Sequence, residues 1–304
     1  MSHPFHYGGQ AVLAGVMIRG KHHMAVAVRR PDGQVATKVE PLGRFSTSAW
    51  ARVPLLRGVV VLWDTLVLGM KAMIYSANVS LGQEEEKISW SMVVGMAITA
   101  LFLVAVLFFT TPMLLARWLD VLIPSAFWNN VVEGLFRLGV LVAYLRAISF
   151  MGEIKDVFAY HGAEHKAINA YEEGRPLTVQ AAQSHSTTHG RCGTAFILIV
   201  LLVAVLIFAL LGRPPFWLRL LSRIALIPLI AAISYELLRL GAEHLKNAVV
   251  KALFAPGLAL QALTTREPSD EQVEVALTAL ETALQADAET ELGQEKLALS
   301  ASAD

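Results

Sequence analysis

One uncharged stretch constrains the fold more than any other feature of the sequence. Met92–Leu115 contains 24 residues without a charged side chain, and a helix of that length, at 1.5 Å per residue, crosses the roughly 30 Å hydrocarbon layer of a bilayer. Thr194–Gly212 is a second uncharged run, of 19 residues. Only 16% of the 304 residues are charged, against about 25% in average soluble domains. We therefore predict a mainly α-helical membrane protein.

Two further segments are apolar enough to complete a bundle of about four transmembrane helices. Val131–Met151 carries Glu133 and Arg137, whose i, i+4 spacing on a helix lets them pair with each other inside the bundle. Ile224–Leu238 contains a single charged residue, Glu236. We expect the four spans to form two hairpins.

The N-terminal region has the alternation of β-strands rather than the pattern of a membrane helix. Ala11–Ile18 and Met24–Arg30 alternate as short strands do. Pro31–Gly33 is a turn sequence, because proline pre-sets φ and glycine accepts a positive φ, and Gln34–Val39 resumes a strand. We predict a small β-rich cytoplasmic unit over about residues 8–48.

Two helical segments outside the spans are predicted as well. Val53–Ala77 has the pattern of an amphipathic or half-buried helix, which lies in the membrane interface or beneath the spans, or is an ordinary buried helix. The chain from 270 onward is acidic, with Val273, Leu277 and Leu280 at i, i+4 and i+7. We expect that segment to be a loosely docked tail.

These segments divide the chain into six parts. We expect a small β-rich unit (1–50), an amphipathic helix and linker (51–90), a first transmembrane hairpin (91–151), a His-rich metal-binding loop (152–193), a second transmembrane hairpin (194–245) and a cytoplasmic tail (246–304) that is acidic from 268.

The distribution of basic residues predicts the orientation of the spans. Residues 1–90 hold ten Lys and Arg, the 152–193 loop four, the 241–304 tail four, the 212–223 loop three and the 116–130 loop one. Cytoplasmic loops are enriched in Lys and Arg. We therefore predict a multi-pass protein of the cell membrane with both termini and the 152–193 loop in the cytoplasm.

Charge and cysteine content restrict the partners. The net charge is zero, but nine acids and one base in residues 268–304 leave residues 1–267 at a net charge of +8. A basic body joined to apolar spans suits a lipid bilayer as partner better than a nucleic acid. Cys192 is the only cysteine, which excludes a disulfide within the chain and fits the reducing side of the membrane.

Four of the nine histidines fall within 29 residues. They are His161, His165, His185 and His189, and Cys192 follows them. Each pair has i, i+4 spacing, which on a helix places two imidazoles on one face with Cβ atoms about 6 Å apart, close enough to bind one cation. A turn sequence at 172–176 lets two helical arms fold back on each other. We predict a cytoplasmic His-rich helical hairpin that binds a divalent ion, preferably zinc, because zinc takes nitrogen and sulfur ligands.

A carboxylate beside the first histidine pair gives the site a second feature. His161-x-x-Glu164-His165 matches the H-x-x-E-H pattern of inverted zinc proteases, in which the carboxylate takes a proton from water. Four His and Cys ligands would close the site around a structural ion, whereas three leave room for water, and surplus ligands favour the open form. A hydrogen-bonded polar cluster without a metal, or an anion site built on Arg191, remains as an alternative.

Several short motifs together resemble the bacterial YqhQ-like family. They are Gly8–Val12 with Gly15–Gly20, His161–Lys166, His185 and His189 with Arg191–Thr194, and Pro256–Gly257 with Leu263–Pro268. The resemblance covers residues 7–280, and no His or Cys position departs from it. It implies a multi-pass protein of the bacterial inner membrane, in a family labelled as predicted metal-dependent enzymes on the strength of these same histidine motifs. No reaction comes with the resemblance.

The leading hypothesis is a membrane-embedded, metal-dependent hydrolase. Zinc bound by His161, His165 and one of His185 or His189 would polarise water, and Glu164 would be the general base. Cys192 would be a further ligand or a redox-sensitive neighbour. The sequence identifies no substrate.

Two other classes of function stay open. A transporter or channel subunit for a metal ion or small solute would use Glu133, Arg137 and Glu236 to line a path. Four spans are few for a monomeric carrier, so this hypothesis requires a homo-oligomer. In a structural or assembly protein, the metal would only staple the middle loop.

Overall fold

The computed structural model describes residues 5–43, 48–82, 90–119, 122–212 and 214–301. Within them the chain is mostly helical, with a small antiparallel sheet near the N-terminus. The predicted linker at 83–89 and two pieces of the predicted β-rich unit, 1–4 and 44–47, lie outside the described residues.

The sheet is a meander whose four strands are neighbours in sequence order. They are β1 (Gly8–Val12), β2 (Gly15–Arg19), β3 (His23–Arg29) and β4 (Val35–Pro41). The predicted β-rich unit is thus confirmed, and Gly33 has a φ of +87° in the predicted turn. The expected single strand Ala11–Ile18 is two strands joined by a tight turn, in which Ala14 has a φ of +50°. An alanine rarely adopts that conformation, so it gave no turn signal.

Helices make up the rest of the described chain. They are α1 (Leu56–Ser80), α2 (Trp90–Val104), α3 (Thr111–Trp118), α4 (Ala126–Ile148), α5 (Gly152–Glu172), α6 (Val179–Gln183), α7 (Gly193–Leu210), α8 (Phe216–Ala225), α9 (Ile227–Glu243), α10 (Ala248–Gln261) and α11 (Asp270–Ala301). A π-helical turn at Ala105–Thr110 joins α2 to α3.

Three of the described helices are long and apolar enough to cross a bilayer. They are α1, the continuous helix Val94–Trp118 and α7. α8 and α9 add a fourth if the 44° bend between them is counted within one span. The molecule is therefore compatible with a membrane protein of three or four spans, which matches the expected number.

The identity of one span differs from the prediction. Val131–Met151 falls almost entirely within α4, which is not among the candidate spans because Glu133, Arg137 and two asparagines lower its mean hydropathy. α1, from the segment predicted as amphipathic or half-buried, meets the criterion instead.

α1 divides its contacts between the bundle and the sheet. Near its start, Gly58 packs closely against Ala232 of α9. Farther along, Leu68, Ala72 and Val79 pack against the sheet. The second half of α1 therefore packs against the sheet, whereas its start packs against α9.

The two faces of the sheet are covered by different helices. One face, formed by Val16, Ile18, Ala25 and Ala27, packs against α5 and α11. The opposite face, formed by Val12, Met17, Met24, Val26 and Val28, packs against α1. The sheet is thus the middle layer of a sandwich, and β1 reaches α5.

The expectation of a loosely docked C-terminal segment was wrong for α11. Val273, Leu277 and Leu280 are buried in the core between α11, α5 and the sheet. Asp287 fixes the helix to the β2–β3 turn, because its carboxylate accepts hydrogen bonds from the backbone N–H groups of that turn at 2.6–3.0 Å. The apolar i, i+4, i+7 pattern therefore predicts the docking of α11 better than its acidic composition does.

α7 connects the sandwich to the opposite end of the bundle. It packs against α4, α9 and α10 and begins directly after Cys192, its N-cap residue. Near its other end, the Phe208 ring lies 3.7 Å from the Arg223 guanidinium of α8. Cys192 and Phe208 are 16 residues apart along α7, which separates these two polar regions by about 24 Å.

Candidate metal centre

Three chain segments meet where α5 approaches the start of α7. α5 contributes His161, Glu164 and His165 on neighbouring turns. The irregular segment 184–192 returns the chain from α6 to α7 and contributes Cys192. The stretch after α10 closes the third side, where the main-chain oxygen of Arg266 packs directly against Gly162. A side chain at position 162 would push these segments apart.

His161, His165 and Cys192 form the centre of the site. The Nε2 atom of His161 lies 3.3 Å from the sulfur of Cys192, and the His161 and His165 ring centroids are 4.4 Å apart. One ligand atom from each residue lies within 4.8 Å of the other two. Ligands of a tetrahedral zinc ion with typical bond lengths stand about 3.6 Å apart for a nitrogen and a sulfur. The three side chains are therefore close enough to share one ion.

Both imidazole rings are oriented by backbone carbonyls. The Nδ1 atom of His161 is 2.8 Å from the main-chain oxygen of Thr264, and the Nδ1 atom of His165 is 2.6 Å from that of Thr187. A carbonyl only accepts hydrogen bonds, so each Nδ1 carries a proton, and in a neutral ring each Nε2 has the lone pair that can bind an ion. Metal-binding histidines almost always have such a partner on the second nitrogen.

Cys192 closes the first turn of α7 through its sulfur. The backbone N–H of Thr194, in that turn, donates to the sulfur at 3.4 Å. Cys192 is buried and is not part of a disulfide. The Thr194 hydroxyl lies 3.0 Å from that of Thr264, which ties α7 to the segment that orients His161.

Glu164 lies beside the three candidate ligands in a buried position. It is 4% exposed, and its Oε2 atom is 3.6 Å from the Nε2 atom of His165, the nitrogen with the free lone pair. Gly9 of β1 packs over it, because a Cβ at Gly9 would lie 2.8 Å from the Glu164 Cγ atom and 2.6 Å from the Met17 main-chain oxygen. Glycine at position 9 therefore lets the sheet cover this carboxylate.

His189 lies next to the centre but has other partners. Its ring centroid is 5.7 Å from that of His165, and its Nε2 atom is 3.3 Å from a Glu172 carboxylate oxygen. Burial lowers the pKa of His189 below its usual value, although the negative charge of Glu164 acts in the opposite direction. His189 is therefore an adjacent histidine rather than one of the three clustered ligands.

His185 is not brought into the group. Its Nδ1 atom is 2.7 Å from the main-chain oxygen of Ala181, and its Nε2 atom is 3.2 Å from a Glu173 oxygen. It lines a separate cleft of about 630 Å³. Residues 184–192 are not helical, so His185 and His189 do not share the helix face that the predicted hairpin required.

Two important residues were not singled out from the sequence. The buried amide of Gln261 accepts the His189 N–H at 3.0 Å and donates to the His189 main-chain oxygen at 2.9 Å. Thr264 orients His161 through its carbonyl. A carbonyl leaves no signature of residue type, although Thr264 lies within the Leu263–Pro268 motif and Gln261 just before it.

Comparisons with known proteins give a family but no activity. Residues 53–286 match the family model described as "Protein of unknown function (DUF1385)". The chain is 38% identical over 302 residues to "Uncharacterized protein YqhQ" of Bacillus subtilis (strain 168), and the match covers 95% of each chain. No solved structure matches.

Proposed function

We propose, for a chain that belongs to the DUF1385 family and thus to the relatives of YqhQ, that His161, His165 and Cys192 bind a divalent metal ion, preferably zinc. We propose further that the site is catalytic and hydrolytic, with Glu164 as the general base.

The orientation of the two histidines carries the metal proposal. Both rings use Nδ1 to donate to a backbone carbonyl, which leaves both Nε2 lone pairs for an ion near the Cys192 sulfur. Two neutral imidazoles and a thiolate are ligands that suit zinc. The donor set therefore fits the ion that the family resemblance implies.

The catalytic part of the proposal depends on ligand number and on Glu164. Three protein ligands leave a fourth position open, as in catalytic rather than structural zinc sites. An ion bound there supplies a Lewis acid that activates water or polarises a carbonyl or phosphoryl oxygen. Glu164, held under β1, would receive the proton of the attacking water on its Oε2 atom and later return it to the leaving group. His161 is only half-buried, which gives solvent a way in.

The site would face the cytoplasm of a bacterium. The basic residues of 1–90 and 152–193 support this orientation by the positive-inside rule, and a free thiol is stable on the reducing side. The centre adjoins the start of α7, so substrates would reach it at the membrane surface.

A structural role is the main competitor, because an ion at this place would tie α5 to α7 and so staple the loop between them. Chelation separates the two functions. We expect the purified full-length protein to contain about one ion per chain by elemental analysis and to keep its fold after the ion is removed, while losing hydrolysis of amide, ester or phosphoester probes. Absence of a stoichiometric ion after reconstitution with zinc would end the metal proposal. Collapse of the fold on chelation, with no hydrolysis by the loaded protein, would end the catalytic one.

A further inference from the structure

Three arginines surround one glutamate at the end of α7 opposite the metal centre. Glu133 of α4 is 1% exposed. Its carboxylate accepts hydrogen bonds from Arg137 at 2.8 Å, from Arg219 at 2.5 Å and from Arg223 at 3.2 Å. All three arginines are more than nine-tenths buried. We refer to these four residues as the arginine cluster.

The arginine cluster carries more positive than negative charge. Arginine remains ionised in proteins, so three positive charges face one carboxylate. A buried charge is costly unless it is paired. The sequence has one other acid in the stretches 116–137 and 211–223, Asp120, which lies outside the described residues. Among the described residues, Glu133 is the only acid that pairs with these arginines, so three guanidinium groups share one carboxylate.

Neutral oxygens satisfy hydrogen-bond donors of the cluster without reducing its charge. They are the side-chain oxygens of Asn129 and Asn130 and the main-chain oxygen of Phe108 in the π-helical turn. The Nε atom of Arg219 is buried and has no hydrogen-bond partner among the described residues. An unsatisfied donor and net positive charge are therefore both present among the described residues of the cluster.

α8 has the two faces expected of a helix at a membrane surface. Its arginines point inward, whereas its outer face is exposed and apolar. That face consists of Trp217, Leu218, Leu221 and Ile224. A helix with such an outer face lies in the interface between headgroups and acyl chains.

We propose that the arginine cluster binds a phosphate-bearing anion, which is either a phospholipid headgroup or free phosphate. Planar guanidinium groups match phosphate oxygens in paired hydrogen bonds. The site is independent of the metal centre, because the rise of α7 from Cys192 to Phe208 separates them by about 24 Å.

Ligand-dependent stabilisation tests the proposal on the full-length protein in a neutral detergent. The thermal midpoint is measured during titration with inorganic phosphate, with short-chain phosphatidylglycerol, and with short-chain phosphatidylcholine as the baseline lipid. A saturable rise with phosphate supports a site for the free anion. A rise with phosphatidylglycerol alone supports a headgroup site. No rise above the phosphatidylcholine baseline with either anion overturns the proposal.

A charge variant with a matched control assigns the effect to the cluster. Arg219→Gln keeps an amide donor for Asn129 but removes one charge, and it should weaken the apparent affinity roughly tenfold. Arg219→Lys should retain most of the affinity. Arg239→Gln, which alters an exposed arginine on α9, should leave the affinity unchanged. The readout is the ligand concentration at which the shift is half-maximal, and a wild-type value in Arg219→Gln contradicts the proposal.

Discussion

The Nε2 atom of His161 lies 3.3 Å from the sulfur of Cys192, although the two residues are 31 positions apart in the chain. His161 belongs to a helix that packs on the sheet, whereas Cys192 caps a helix of the apolar bundle. A metal ion bound between them would connect the two halves of the molecule. His161 and His165 belong to this cluster, whereas His185 and His189 were predicted from the same spacing and are not part of it.

His165→Ala should abolish stoichiometric metal binding, while His185→Ala should leave it unchanged. His165 is 1% exposed and belongs to the three-residue centre, whereas His185 bonds Ala181 and Glu173 instead. Elemental analysis after zinc reconstitution checks both variants. Equal loss in the two would mean that His185 reaches the ion after all.

Cys192→Ser should remove the thiolate signature of the centre. In the cobalt-substituted wild-type protein, a thiolate ligand produces a sulfur-to-metal charge-transfer band in the near-ultraviolet. We expect that band to disappear in Cys192→Ser, because a serine hydroxyl is a poor replacement for a soft sulfur ligand. A wild-type protein that binds cobalt without the band would show that Cys192 is not a ligand.

Glu164→Gln should preserve metal content but reduce hydrolysis. The substitution keeps the size of the side chain and removes its basicity, and general bases contribute about 10²- to 10⁴-fold to rate. The control is Glu173→Gln, which alters an exposed carboxylate directly after the end of α5. This variant should have no effect on rate. Unchanged turnover in Glu164→Gln at full metal occupancy rules out the base role.

Gln261→Ala should loosen the segment that carries His189. The variant leaves the N–H and carbonyl of His189 without their buried partner, which costs about 1–3 kcal/mol for each unsatisfied group. We expect a lower thermal midpoint and weaker zinc binding. Gln180→Ala, at an exposed position of α6, provides the comparison and should change neither quantity.

Asp287→Asn should destabilise the protein at neutral pH and lose its effect in acid. Burial raises the pKa of Asp287, but hydrogen bonds from the backbone of His22 and Lys21, and from His23 and Tyr7, outweigh it and hold the pKa below its usual 3.8. A carboxylate with a lowered pKa stabilises the folded state above that usual value, and the contribution disappears as the pH falls through the folded-state pKa.

Thermal midpoints measured across a pH series check this sign. The gap between wild type and Asp287→Asn should be widest near pH 7 and should narrow below about pH 3.8. A gap that stays constant over the series would show that the charge of Asp287 contributes nothing to the docking of α11.

Periodicity predicted the elements of the fold better than their partners. The long apolar runs and the strand alternation were sufficient for the sheet and for the candidate spans Val94–Trp118 and α7, whereas α4 was predicted as a span in place of α1. They could not show that the second half of α1 packs on the sheet, or that Val273 and Leu277 bury one face of the acidic helix α11. Those contacts depend on which apolar faces are complementary in shape, and the periodicity of a single sequence does not show this.

The candidate site was predicted in part for a similar reason. His161 and His165 are neighbours because α5 is a regular helix, for which i, i+4 spacing has a fixed geometric meaning. His185 and His189 have the same spacing but lie in an irregular segment, where spacing determines nothing. The roles of Gln261 and of the Thr264 carbonyl arise from tertiary contacts alone.

The carbonyl that orients His161 belongs to Thr264, beyond the last apolar helix of the chain. Translation must therefore continue past α10 before His161 can acquire this orientation. A chain released by a premature stop shortly after α9 would contain every proposed ligand but not the carbonyl that orients the first of them. On the metal-site proposal, capture of an ion would for this reason be a late event in the biogenesis of the protein.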